Sequence, residues 1–356
     1  MEVDLINREI CYSEFYEEYL VKNKICMLSK SFTDSWSCRK HWVDNEVPNW
    51  ENLLENYGEA EVPVANCGEA YFDSHSKSNW TLTDFITYIK EYRKKNYSTE
   101  MPCLYLKDWH LFKNFHSSEG MYETPIYFSV DWLNEYWIQG NKDDYRFVYI
   151  GPQGSWTPLH ADVYGSFSWS ANVVGKKRWI FFPPGEELKL KSLLGISCLP
   201  RDLGEIDLSS MKITYFDLIQ NAGEIVFVPS GWFHQVWNLE DTISINHNWF
   251  NGANVNYIYQ GLGKASKEIQ DEVSGYGTTL DTEQLEIFLD SHYGMNFQQF
   301  HQLLQTVIDR RDSGFLKIHS SKPCHSCSGD QLCKDQHHCD VDRQVALQIL
   351  KLLSNK

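Results

Sequence analysis

The 356-residue chain has no run of about 18 apolar residues, which excludes a membrane-spanning helix of ordinary length. Its first residues, Met1-Glu-Val-Asp-Leu-Ile-Asn-Arg8, lack a basic stretch followed by an apolar one, so no secretory leader is expected. Positive charge is scarce too. Against 48 Asp and Glu there are 32 Lys and Arg, a balance of −16 that argues against a broad phosphate-neutralising surface for nucleic acid. Internal repeats and long low-complexity linkers are also missing, which excludes a solenoid or an array on flexible tethers. These absences lead to the expectation of a soluble, cytoplasmic protein with neither a membrane nor a direct nucleic-acid partner.

What is present describes a folded protein with a substantial core: 42% hydrophobic residues, among them 13 Trp, 20 Tyr and 19 Phe. Ten cysteines without a secretion signal read as reduced thiols. Six are scattered (Cys11, Cys26, Cys38, Cys67, Cys103 and Cys198), and four cluster near the C-terminus. Residues 1–110 read as an N-terminal mixed α/β segment packing on the core. Within it Thr81-Leu-Thr-Asp84 resembles a capping box and opens a helix with Phe85, Tyr88, Ile89 and Tyr92 at helical spacing. Residues 111–255 hold the β-rich core. Strands are expected at Tyr145–Ile150, Phe167–Val174, Lys177–Phe182, Glu224–Val228, His234–Trp237 and Thr242–Trp249, separated by Gly and Pro turns. Many short strands of this kind suggest an antiparallel barrel or jelly roll. Residues 256–356 return to helical periodicity. The stripe Phe297, Phe300, Leu304, Val307 and Ile308 reads as an intramolecular packing face, with homo-oligomerisation through these helices as the alternative.

The chemistry-bearing residues sit in the β region. In His160-Ala161-Asp162, residues i and i+2 of an extended segment point to one face and offer an imidazole and a carboxylate to one metal. Among 13 His and 48 acidic residues, about two such triplets are expected by chance. The second one present, His338-Cys339-Asp340, lies in the C-terminal region. Context separates them, because His234 follows the Pro229-Ser-Gly-Trp232 turn and can face His160 across a barrel. Two histidines and one carboxylate make the facial triad of non-haem Fe(II) oxygenases, with three cis positions open for a bidentate 2-oxo acid and dioxygen. If that acid is 2-oxoglutarate, its distal carboxylate needs a fixed cation, and Lys177 at the entry of an apolar strand suits the role. Thr157 and Asn246 are candidate hydrogen-bonding partners.

The stretches Tyr145-Arg-Phe-Val-Tyr-Ile-Gly-Pro152, Thr157-Pro-Leu-His-Ala-Asp162, Gly175-Lys-Lys-Arg-Trp-Ile-Phe-Phe-Pro183, Gly223–Leu239 and Ile243–Phe250 together resemble the jumonji C oxygenases. The resemblance covers about a hundred residues and is specific through its joint spacing. It implies a mainly β fold with flanking helices around a double-stranded β-helix, a cupin-like jelly roll. It also implies Fe(II) at His160, Asp162 and His234, and 2-oxoglutarate at Lys177 and Thr157, with O2 as the other co-substrate and ascorbate as supporting reductant. At the position where some relatives place an Asn beside the co-substrate, this chain has Ser170. The wider pattern is similar to the jumonji-domain-containing protein four group, which implies lysyl hydroxylation of the eukaryotic translation termination factor as protein substrate. An N-methyl-lysine demethylase of the same oxygenase class and a non-catalytic metal-binding jelly-roll interaction protein remain open. So does structural zinc at Cys324, Cys327, Cys333, His337 and Cys339, against reduced thiols in a surface loop.

Overall fold

A computed structural model describes residues 2–71, 74–115, 120–140, 143–313 and 331–354, without the side chains of residues 71 and 331–340. Among the described residues, fifteen strands run in chain order. The first seven are β1 (Asp4–Ile6), β2 (Cys26–Leu28), β3 (Val43–Asp44), β4 (Val47–Pro48), β5 (Glu61–Tyr71), β6 (Ser74–Thr81) and β7 (Leu104–Trp109). The barrel proper follows with β8 (Arg146–Gly151), β9 (Trp156–His160), β10 (Phe167–Val174), β11 (Lys177–Phe182), β12 (Phe216–Gln220), β13 (Ile225–Val228), β14 (Phe233–Asn238) and β15 (Thr242–Trp249). Nine strands form one sheet in the order β1-β2-β13-β10-β15-β8-β7-β5-β6, and four form a second in the order β12-β11-β14-β9. This is the expected jelly roll with flanking helices.

Alternation along the strands of the large sheet decides what each face does. Phe167, Trp169 and Ala171 of β10, Ile225 and Phe227 of β13, and Ile243, Ile245 and Trp249 of β15 point away from the small sheet into the main core. The intervening residues Ser168, Ser170, Asn172, Ser244, Asn246 and Asn248 occupy the opposite, inner face. Between the sheets, Val226 and Val228 meet Trp179, Phe181 and Val236. The interior therefore has an apolar part and a polar part, and the polar part is where chemistry can be placed.

Six expected strands are present within a residue or two. Two more in the barrel, β9 and β12, carry weaker strand patterns. Pro158 sits in the middle of β9, which is tolerated because β9 is the edge of the small sheet. The expected boundary at residue 110 follows the end of β7 but is not an edge of the sheet, since β7 pairs with β8 and β5 with β7. The segment 61–109 thus extends the barrel's own sheet.

Helices cover the outer face of the large sheet. The helix Leu82–Lys94 begins where Thr81 Oγ1 accepts the Asp84 N–H at 3.1 Å and donates to the Asp84 carboxylate at 2.8 Å. On the C-terminal side lie Val255–Gly275, Thr282–Tyr293, Phe297–Asp312 and Gln331–Ser354. Phe300, Leu303, Leu304, Val307 and Ile308 are buried on the third of these and belong to the same core as the outer face of the large sheet. Among the described residues, no helix is long and apolar enough to cross a membrane. Of the C-terminal zinc candidates, Cys324 and Cys327 lie outside the described residues, as do the side chains of Cys333, His337 and Cys339.

Candidate active site

His160 ends β9, Asp162 lies two residues further on an extended backbone (φ −63°, ψ 151°), and His234 is the second residue of β14. The pairing of β9 with β14 sets His160 directly opposite His234. One ligand atom from each of the three side chains lies within 4.8 Å of the others. The imidazoles, with centroids 4.4 Å apart, are already oriented. His160 Nδ1 donates to the Pro158 carbonyl at 2.7 Å and His234 Nδ1 to the Trp232 carbonyl at 3.1 Å. A carbonyl oxygen only accepts, so both Nδ1 atoms carry the proton and both Nε2 atoms present a lone pair. Burial, and next the neighbouring His234, hold the His160 pKa down to about 4, which keeps that lone pair free at neutral pH.

Asp162 is fixed through both oxygens. Ser168 Oγ donates to Oδ2 at 2.7 Å and Asn248 Nδ2 to Oδ1 at 3.0 Å, each from the polar face of the large sheet. Donors of this kind orient a ligand carboxylate and leave it a free lone pair on each oxygen. Trp179 and Phe181 lie against His234, with ring centroids 5.8 and 5.5 Å away.

Lys177 is 2% exposed and bridges the two sheets, donating from Nζ to Ser244 Oγ at 2.7 Å. It has no carboxylate partner among the described residues, and burial alone lowers its pKa to about 7. A lysine enclosed in this way is costly unless an anion joins it. Asn246 Nδ2 donates to the same Ser244 hydroxyl at 3.2 Å, so Asn246 reaches the lysine through Ser244. Thr157 is held opposite Val236, which turns its side chain into the barrel, and its buried hydroxyl has no partner among the described residues. The Ser170 hydroxyl is likewise buried and unpartnered among the described residues. A cation without a counter-ion beside unfilled hydroxyls fits a small carboxylate, and the His/His/Asp donor set fits a divalent transition metal.

The sequence reading missed Ser168, Asn248 and Ser244, which position the others, and Lys107. Lys107 on β7 is buried and makes no hydrogen bond among the described residues. It lies 5.9 Å over the Tyr105 ring, and its charge is felt at His160. The available signal was the alternation Ser168-x-Ser170-x-Asn172 and Ser244-x-Asn246-x-Asn248 inside strands otherwise apolar. A second group of metal-ligand type, His110, Asp143 and Asp144, is already neutralised by Lys113 and Arg146.

Comparison with known proteins agrees with this geometry. Residues 147–249 match the family described as JmjC domain, hydroxylase. Over 99% of this chain and 86% of the relative, it is 42% identical to the 2-oxoglutarate and iron-dependent oxygenase JMJD4 of Danio rerio. It is 43% identical to the Homo sapiens protein of the same name, over 84% of this chain and 74% of the relative. Similarity also extends, at 38% identity over 84% of this chain and 68% of the relative, to a protein of Arabidopsis thaliana named arginine-specific demethylase JMJ20.

Proposed function

The chain belongs to the JmjC-domain family of 2-oxoglutarate- and iron-dependent oxygenases, and from that premise we propose that it hydroxylates a lysine side-chain carbon of a protein, with the translation termination factor as substrate. The observation that carries the oxygenase reading is the joint arrangement of two free histidine Nε2 atoms, a fixed carboxylate and an unneutralised buried lysine inside one barrel.

Iron and 2-oxoglutarate, when bound, supply oxidation of a C–H bond coupled to oxidative decarboxylation of the 2-oxo acid to succinate and carbon dioxide. The chain's own residues do the rest. His160, Asp162 and His234 would hold the metal, with Ser168 and Asn248 fixing the angle of the carboxylate. Lys177 receives the distal carboxylate of the co-substrate, with Thr157 as a further donor and with Ser244 and Asn246 setting the lysine's direction. Trp179, Phe181, Val226, Val228 and Val236 close the inner end of the barrel with apolar surface and exclude water from it. Ascorbate enters as the supporting reductant, and the protein works in the cytoplasm.

Hydroxylation is favoured over demethylation by the description of the matched family as hydroxylase and by relatives named simply as oxygenases. The net charge of −16 suits a basic protein target of either kind. A demethylase is the second reading, supported by the name of the plant relative. The two are separated by incubating recombinant termination factor, unmethylated and methyl-lysine forms in parallel, with Fe(II), ascorbate and 2-oxoglutarate, followed by peptide mass spectrometry. One added oxygen on an unmodified lysine, absent with His160→Ala, is the expected result. Loss of a methyl group, or succinate formed with no change in the termination factor, contradicts the substrate assignment.

A further inference from the structure

Cys67 and Cys103 stand opposite each other on β5 and on the residue just before β7. The register pairs Asn66 with Leu104, and the Cys67 N–H donates to the Cys103 carbonyl at 2.9 Å. Opposed residues of an antiparallel pair share a face, with Cα atoms about 4.5–5.5 Å apart, inside the roughly 4.4–6.8 Å that a disulfide requires. The neighbouring Cys103 side chain holds the Cys67 thiol well below the ordinary cysteine value, while Cys67 and burial push Cys103 well above it. The buried imidazole of His75 favours the Cys67 thiolate as well. Cys67 is buried and Cys103 is half-buried, so only a small oxidant reaches the pair. The other cysteines whose side chains are described sit differently, with Cys11 accepting the Glu14 N–H at 3.4 Å at the start of a short helix. Burial raises Cys26 and Cys38, while Cys198 is exposed and accepts the Ser197 hydroxyl at 3.9 Å.

The pair also adjoins the active site. Cys67 Sγ donates to the Trp156 carbonyl at 3.6 Å, immediately before Thr157, and His75 packs edge-on against the Trp156 ring at 4.6 Å. Tyr105 and Lys107 both feel a charge on Cys67. We propose that Cys67 and Cys103 are a redox-sensitive modification site that closes to a cross-strand disulfide on exposure to a hydroperoxide, and that closure lowers turnover at the neighbouring site. The second half rests on the function proposed above.

In the first step the Cys67 sulfur attacks one peroxide oxygen and the O–O bond breaks. The departing hydroxide takes up the proton of the original thiol and leaves as water, with Cys67 as the sulfenic acid. The Cys103 sulfur then attacks the Cys67 sulfur and the S–O bond breaks. The second hydroxide takes the Cys103 proton and leaves as water. Two thiols have lost two electrons, and the peroxide has been reduced to two waters. Closure ties the two strands together beside the Trp156 carbonyl, Tyr105 and Lys107.

The test uses the full-length wild-type protein, treated with hydrogen peroxide or dithiothreitol, alkylated and mapped by mass spectrometry without reduction. A peptide pair joined through Cys67 and Cys103, two hydrogens lighter than its parts and absent after dithiothreitol, is expected. In Cys103→Ser, Cys67 should instead be captured by dimedone as the sulfenic acid. Complete alkylation of Cys67 and Cys103 while Cys198 is oxidised overturns the proposal. On the same samples, 2-oxoglutarate turnover should fall severalfold in the linked form and recover with dithiothreitol, and Cys103→Ser, which cannot form the link, should not show this fall. Equal turnover in linked and reduced protein overturns the regulatory half. Absence of turnover in the reduced protein contradicts the oxygenase reading and that half with it, and leaves the disulfide result standing.

Discussion

A lysine ammonium held between two sheets with one serine hydroxyl for company is an expensive arrangement unless a second, negative group completes it. Replacing Lys177 by Met keeps the volume and removes the charge. A hydrogen bond to a charged group contributes about 1.5–3 kcal/mol, so the Michaelis constant for 2-oxoglutarate should rise roughly tenfold to a hundredfold with little change in iron affinity, as steady-state kinetics would show. The pH dependence follows from the same residue. Its pKa is depressed to about 7 without an anion and returns toward the ordinary lysine value of 10.5 when a carboxylate joins it. Binding above pH 7 therefore takes up a proton, and affinity for 2-oxoglutarate should fall as pH rises through that range in the wild type but not in Lys177→Met. Calorimetry in buffers of different ionisation enthalpy would detect the proton uptake. Lys177, His160, Asp162 and His234 were legible in the sequence because each stands at a turn or strand end inside a distinctive string. Ser168, Asn248 and Ser244 show in the sequence only through the polar alternation along β10 and β15, because a single serine or asparagine in a strand has the same appearance whether it faces a ligand or a neighbouring strand.

At the scale of elements, the turn joining β10 to β11 delivers Lys177 into the barrel. Gly175 occupies it with φ +83°, and a Cβ there would lie 2.2 Å from the Asp241 carbonyl oxygen. Gly175→Ala should cost at least about 1–3 kcal/mol from backbone strain alone, with the clash adding to it, and should lower the melting temperature and weaken 2-oxoglutarate binding together. A melting temperature equal to wild type would contradict this reading of the turn. The strands β10, β11 and β15 were readable from the sequence because both faces are buried and their residues are β-branched, aromatic or small. The strand β6, Ser-His-Ser-Lys-Ser-Asn-Trp-Thr, was not, because as the outer edge of the large sheet it has little apolar alternation to display. It exists through pairing with β5, a tertiary cause that no local pattern reports.

Across the whole molecule, the last two C-terminal helices are tied to the helix Trp132–Gln139, which precedes β8, by a buried polar junction, while the apolar stripe packs on the core. Arg311 binds Glu135 and Asp342, and the Asp342 carboxylate also accepts from Trp132 Nε1 at 3.2 Å. These residues come from three helices, and the Arg311 side chain is 1% exposed. Removing one member of such a buried set strands the remaining charges, so Arg311→Met should destabilise the protein by about 3–5 kcal/mol, seen as a lower denaturation midpoint with the iron site intact in the folded fraction. The metal triad and the lysine lie in the barrel, and the helices act on them by holding its outer wall. The most direct test of that single combined site is an anaerobic titration with Fe(II) and then 2-oxoglutarate, followed by iron analysis and visible charge-transfer absorbance, on wild type, His160→Ala and Lys177→Met. One iron per chain, with the 2-oxoglutarate band appearing only after iron, lost in His160→Ala and needing much more co-substrate in Lys177→Met, is the expected outcome. Undiminished iron and co-substrate binding in His160→Ala would contradict it.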